Sequence, residues 1–127
     1  EIDFVRRGAH YGWDYFEGKR PLRTPAPQPL TNYEPAVHTY DHTVGVSVIG
    51  GYVYRGQTHA WLVGRYLYAA FGSNKLWALT RGVGSAATSV DIVADDLVTP
   101  VSFGEDEAGE VYVVSLSGKI FRLESVR

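Results

Sequence analysis

The sequence predicts an all-β fold, two four-stranded antiparallel blades of a β-propeller, and three observations carry that prediction. The first is composition. Nine Tyr, three Trp and five Phe stand among many Val and Ile, punctuated by 14 Gly and 6 Pro, the residue types of pleated strands and tight turns. The second is periodicity: no segment sustains the apolar period of about 3.6 that an amphipathic helix needs. The third is an internal repeat. Leu67-Tyr68-Ala69-Ala70 followed by Ser73-Asn74-Lys75-Leu76-Trp77-Ala78-Leu79 matches Val111-Tyr112-Val113-Val114 followed by Ser117-Gly118-Lys119-Ile120-Phe121-Arg122-Leu123, at a constant offset of 44 residues. Each copy reads as a hairpin, and a period of roughly 40 to 50 residues with four strands per unit is what a propeller blade requires.

The elements follow in order. Residues 2–5 alternate and read as a short strand. A loop runs through Gly8, Tyr11-Gly12-Trp13 and Glu17-Gly18. Residues 19–36 hold all but one of the prolines and read as a long connection. Residues 46–54 form a strand with Gly50 and Gly51 inside it. Strands at 66–71 and 75–80 flank the turn Gly72-Ser73-Asn74. A small-residue loop at 82–88 leads to a strand at 89–93, and Asp95-Asp96 turns the chain. A strand at 101–104, a turn at 106–109 and strands at 111–115 and 119–124 around Ser117-Gly118 complete the pattern. The chain thus divides into an opening strand and Pro-rich loop (1–45), a first blade (46–94) and a second blade (95–127) that has only three strands. The strand at 2–5, taken from a neighbouring copy, is the expected fourth. Two blades cannot cover their own faces, since at least about three repeats are normally needed, so completion by oligomerisation is expected.

Length and charge exclude other classes. The chain has 127 residues, 45% of them hydrophobic, enough to bury a core. A net charge of -2 lacks the basic excess of a nucleic-acid surface. No apolar run approaches the roughly 18 residues of a membrane span, and no basic segment followed by an apolar one opens the chain. With no cysteine, disulfides and thiolate metal sites are excluded.

Four segments together resemble the soluble quinoprotein glucose/sorbosone dehydrogenase family, in its hedgehog-interacting-protein-like branch. They are Gly8-Ala9-His10-Tyr11-Gly12-Trp13 with Glu17-Gly18; Ser47-Val48-Ile49-Gly50-Gly51-Tyr52-Val53-Tyr54-Arg55-Gly56; Tyr66-Leu67-Tyr68 with Lys75-Leu76-Trp77-Ala78-Leu79; and Ser102-Phe103-Gly104-Glu105-Asp106-Glu107-Ala108-Gly109-Glu110-Val111-Tyr112-Val113. The resemblance runs over nearly the whole chain and lies in that family's C-terminal third. It implies a six-bladed propeller, pyrroloquinoline quinone (PQQ), calcium, oxidation of an aldose with a His as base, and a periplasmic or secreted location. The family's enzymes carry an Arg-x-Arg pair on the inner strand of the last blade. This chain reads Thr99-Pro100-Val101-Ser102 there, which counts against quinone binding.

The candidate site residues follow from that resemblance and from their own chemistry. His42, beside Asp41, is the candidate catalytic base; alternatively its ring fixes the start of the first blade. Arg55, Tyr54 and Tyr40 are candidate cofactor contacts, with the Arg55 guanidinium able to pair with a quinone carboxylate or to cap strand carbonyls. Trp13 and Tyr11 are a candidate sugar-stacking platform, or packing residues between blades. Glu105, Asp106, Glu107 and Glu110 offer carboxylates to calcium, although the Asp-Glu-Ala-Gly run equally makes a hairpin turn. His38 and His42 stand four apart without the helix that zinc pairing at that spacing needs. Three readings emerge: a non-catalytic propeller module closing a ring as a homotrimer around a sugar- or small-molecule-binding funnel; a PQQ- and calcium-dependent sugar dehydrogenase; or a truncated piece of such a propeller.

Overall fold

The computed structural model describes residues 1–25, 30–82, 87–92 and 97–124. The chain forms two compact units, Glu1–Tyr40 with Arg81–Ala87, and Asp41–Thr80 with Thr88–Arg127. Among the described residues there is no α-helix.

The first unit is mostly loop. Strands β1 (Phe16–Glu17) and β2 (Arg20–Pro21) pair antiparallel around Gly18. Gly18 has φ of 58°, and a Cβ on it would sit 2.8 Å from Thr39 Cγ2, so glycine is required twice over. Phe16 stacks on Tyr33 with ring centroids 5.4 Å apart. The regular strand expected at 2–5 is reduced to one bridge, Ile2 to His38. Phe4 instead lies under the Arg81 guanidinium, 4.0 Å from its ring centre. The Pro-rich connection contains β2 and a bridge from His10 to Tyr33; its residues 26–29 lie outside the described residues.

The second unit holds two antiparallel sheets. The first has the order β3 (Ser47–Val53), β4 (Tyr66–Phe71), β5 (Leu76–Arg81), β6 (Ala87–Ile92), and the second the order β7 (Pro100–Glu105), β8 (Val111–Ser115), β9 (Ile120–Arg122). The expected strands at 46–54, 66–71, 75–80, 89–93, 101–104, 111–115 and 119–124 all find a counterpart, with no end moved by more than two residues. The turn expected at Asp95-Asp96 and most of the loop at 82–88 fall outside the described residues. A 3-10 turn at Ala60–Leu62, not foreseen from the sequence, drops Leu62 into the core.

The two sheets pack face to face. One face of the first sheet, carrying Leu67, Ala69, Leu76 and Ala78, joins a single apolar core with Phe103, Val111 and Val113 of the second sheet, against which Phe121 and Leu123 also pack. We call the first of these a leading face and the second a trailing face. The trailing face of the first sheet carries Tyr66, Tyr68 and Trp77, whose rings stack in series, and Leu79; Tyr68, Trp77 and Leu79 are buried. Strands β4 and β5 are therefore buried on both faces.

The repeat is not paired alike in its two copies. Tyr68 lies opposite Trp77, whereas Tyr112 lies opposite Arg122 and Phe121 opposite Val113. The cause is turn length. The Ala70 N–H to Lys75 carbonyl bond encloses residues 71–74, while the Ser115 N–H to Lys119 carbonyl bond encloses only 116–118. Losing one turn residue moves β8 to the other face relative to the ungapped alignment, because side chains alternate with period two. This shift puts Val111, Val113 and Phe121 on one face, the trailing one.

Candidate functional site

Residues of three of the four motifs converge on the junction between the two sheets. After β3 the chain runs through Tyr54 to the turn at Ala60–Leu62, and the turn at 106–109 of the second sheet rises to meet it. Asp106 builds that turn: its Oδ1 accepts the N–H groups of Ala108 (2.9 Å) and Glu110 (3.0 Å), and its Oδ2 accepts the Tyr112 hydroxyl (3.0 Å). The turn closes with Gly109 at φ of 79°, where a Cβ would lie 2.8 Å from the Arg55 carbonyl carbon. Glycine there satisfies both the left-handed conformation and the close backbone approach.

Glu110 is thereby aimed into the neighbouring sheet. Its Oε2 accepts the Tyr54 hydroxyl at 2.6 Å. Its Oε1 accepts the Gln57 N–H (3.0 Å), the Thr58 N–H (3.0 Å) and the Thr58 hydroxyl (2.8 Å). Four donors stabilise the charged form, led by Tyr54 and Thr58, and lower the Glu110 carboxyl to about 2. Gly56 leaves room for this, since a Cβ there would lie 2.5 Å from Glu110 Oε1. The buried Tyr54 hydroxyl also accepts the His59 N–H at 3.1 Å. Burial, then the bond to Glu110, raises the Tyr54 hydroxyl above its usual value. His59, itself buried, meets the Leu123 carbonyl through Nε2 at 3.0 Å and so ties down the end of the second sheet.

A second contact interlocks two motifs. Within Gly50-Gly51, a Cβ on Gly50 would meet the Tyr66 hydroxyl at 2.8 Å, and one on Gly51 would meet the Leu67 carbonyl oxygen at 2.5 Å and Phe103 Cγ at 2.9 Å. The bare backbone at Gly51 receives the Phe103 ring, so the Gly-Gly of one motif is the socket for the Ser-Phe-Gly of another.

The residues predicted for a ligand site fall in two groups. Tyr11, Trp13 and Tyr40 belong to the first unit, and His42, Tyr54 and Arg55 to the second. The Tyr11 hydroxyl accepts the Arg6 N–H and donates to the Phe4 carbonyl, stapling its own loop. Trp13 is 72% exposed. The Tyr40 ring lies 6.3 Å from that of His38, and burial raises its hydroxyl. His42 is exposed in a turn that Asp41 organises by accepting the Thr43 N–H and hydroxyl; those bonds hold the Asp41 carboxyl below its usual range. Tyr54 is wholly buried with its hydroxyl committed, so it presents no surface to a ligand. Arg55 donates to the Val53 carbonyl at 3.0 Å and lies 3.7 Å from Glu105, the strand-end capping arrangement.

The acidic run is engaged within the chain itself. Both oxygens of Asp106 and both of Glu110 accept hydrogen bonds from the chain's own donors, and Glu105 faces Arg55. Among the described residues no three or more His, Asp or Glu side chains gather in a way that could hold a metal ion. What the sequence reading missed is the role of Glu110 and of Gly51. The Glu directly after Gly109 and the paired glycines within a strand were the available signal; that the two act across a junction is visible only once the sheets are stacked.

No protein-family model matches the chain, and no solved structure does. The chain is 27% identical over 150 residues to the HIPL1 protein of Arabidopsis thaliana, an alignment covering 93% of this chain and 22% of that protein. It is 31% identical over 90 residues to the HIPL2 protein of the same plant, covering 61% of this chain and 13% of that one. The chain thus spans about a fifth or less of these relatives, and its similarity to them is to HIPL proteins, with nothing in it that singles out a quinone-dependent dehydrogenase.

Proposed function

We propose that this chain is a two-blade module of a β-propeller, non-catalytic by itself, whose motif residues hold one blade on the next. The observation that carries this reading is the packing of the two sheets face to face over one apolar core, as neighbouring blades pack in a ring. The antiparallel sheets and the HIPL relatives support it. Glu110, Tyr54, Gly51 and Phe103 are then junction residues, and the residues predicted to bind quinone or calcium serve packing. A sugar or other small molecule would bind only in a funnel that further blades complete.

Thermal unfolding of Phe103→Ala tests the reading. Truncating a buried Phe costs about 3–5 kcal/mol, and if the sheets form one junction, β3–β6 and β7–β9 melt together at a lower temperature. Separate melting, with the first sheet unmoved, would overturn the module. Incubation with quinone, calcium and aldoses should give no dye reduction above the blank, and measurable turnover would contradict the non-catalytic part.

A further inference from the structure

The chain has two pairs of adjacent basic residues, Arg6-Arg7 and Lys19-Arg20. Both are exposed, and two successive cations are what the acid-lined subsites of some endoproteases take. The structure sets the pairs apart. Lys19-Arg20 lies in the β1–β2 hairpin, with Arg20 opposite Glu17 and Pro21 opposite Phe16. The bond after Arg20 runs into Pro21, whose ring replaces the N–H on the leaving side. Gly18, next to the pair, lies tight against Thr39. Arg6-Arg7 sits in a turn closed by one long backbone bond, from the Ala9 N–H to the Arg6 carbonyl at 3.3 Å. Among the described residues no other backbone–backbone bond holds positions 3–9. Gly8 follows Arg7 with φ of 76°, and a Cβ there would meet nothing within 4 Å, so the chain is uncrowded just past Arg7. Exposed turns of this kind are the preferred places of proteolytic nicking.

We propose that the Arg7–Gly8 bond is a processing site for an endoprotease that cuts after paired basic residues, and that the Tyr11 hydroxyl gates it. Water adds across the Arg7–Gly8 amide, leaving a carboxylate on Arg7 and an amine on Gly8. A protease takes its substrate as an extended segment several residues long, so cutting draws on the locally opened chain. The Tyr11 hydroxyl accepts the Arg6 N–H and donates to the Phe4 carbonyl, which fixes backbone on the acyl side of the bond that is cut. The Arg6 side chain pairs with Glu34 at 3.2 Å, but it is 54% exposed, and exposed pairs of this kind hold weakly. Opening therefore costs one turn, the two Tyr11 bonds and one surface ion pair. After the cut, residues 1–7 are tied only by the Ile2 bridge to His38, the Phe4 ring under Arg81, and these Tyr11 and Glu34 contacts. The inference is independent of how the two sheets pack.

The test incubates the whole folded chain with an endoprotease specific for paired basic residues (kexin) and reads the products by intact mass and N-terminal sequencing. The expected result is one early cut, with a product that begins Gly8-Ala9-His10, at least about tenfold faster than any cut after Arg20. Arg7→Gln should abolish it. Tyr11→Phe should speed it about fivefold, the effect of losing one net hydrogen bond, without speeding a cut after Arg20. A folded chain that resists while the urea-unfolded chain is cut after Arg7 overturns the proposal, as does a first cut after Arg20. A Tyr11→Phe chain cut at the unchanged rate, or one in which both pairs are cut faster together, overturns the gate.

Discussion

Single residues at the junction make the sharpest predictions. Glu110 is ionised in the fold well below its ordinary range, at about 2, while in the unfolded chain it titrates near 4.3. A folded value depressed in this way contributes stability that is fully present above the unfolded value and is lost as pH falls toward the folded one. Denaturant midpoints measured from pH 7 to pH 2 should therefore fall between about pH 5 and pH 2, and Glu110→Gln should be less stable at pH 7 and show a flatter acid limb. An unchanged limb in Glu110→Gln would mean that another carboxylate governs it. Gly51→Ala forces a methyl group to 2.5 Å from the Leu67 carbonyl oxygen, and backbone cannot yield as a side chain tip can. Overpacking of this kind costs about 1–3 kcal/mol, read as a shift of the urea midpoint, whereas Gly104→Ala, whose methyl group meets nothing within 4 Å, should shift it little.

At the scale of elements, the first sheet and the second should differ in local stability. Strands β4 and β5 are buried on both faces, and β9 is a three-residue edge strand with Ile120 and Arg122 exposed. Native-state amide exchange is therefore expected to be slowest in β4 and β5 and fastest in β9; slow exchange in β9 would show that its edge is already covered in solution. The hairpins themselves were legible. Alternation, Gly-containing turns and the repeat placed all seven long strands within two residues. The pairing register of the second hairpin was not, because an ungapped alignment does not show that its turn is shorter by one residue, and one residue inverts which face each side chain joins.

At the scale of the whole molecule, the sequence expectation was a ring of three copies, with residues 2–5 lent to a neighbour. Ile2 is bridged to His38 within its own chain, and the trailing face of the first sheet is already buried. Light scattering on the isolated chain is expected to give a mass near the 14.0 kDa of one copy. A mass of about 42 kDa, three times that value, would show the closed trimer. The sequence by itself determined the all-β class, the strand positions and the repeat, because these rest on local alternation and turn chemistry. It did not determine what Glu110, Tyr54 or Gly51 do. Those residues act across a junction between sheets, and only tertiary stacking decides which faces meet and which glycine is covered.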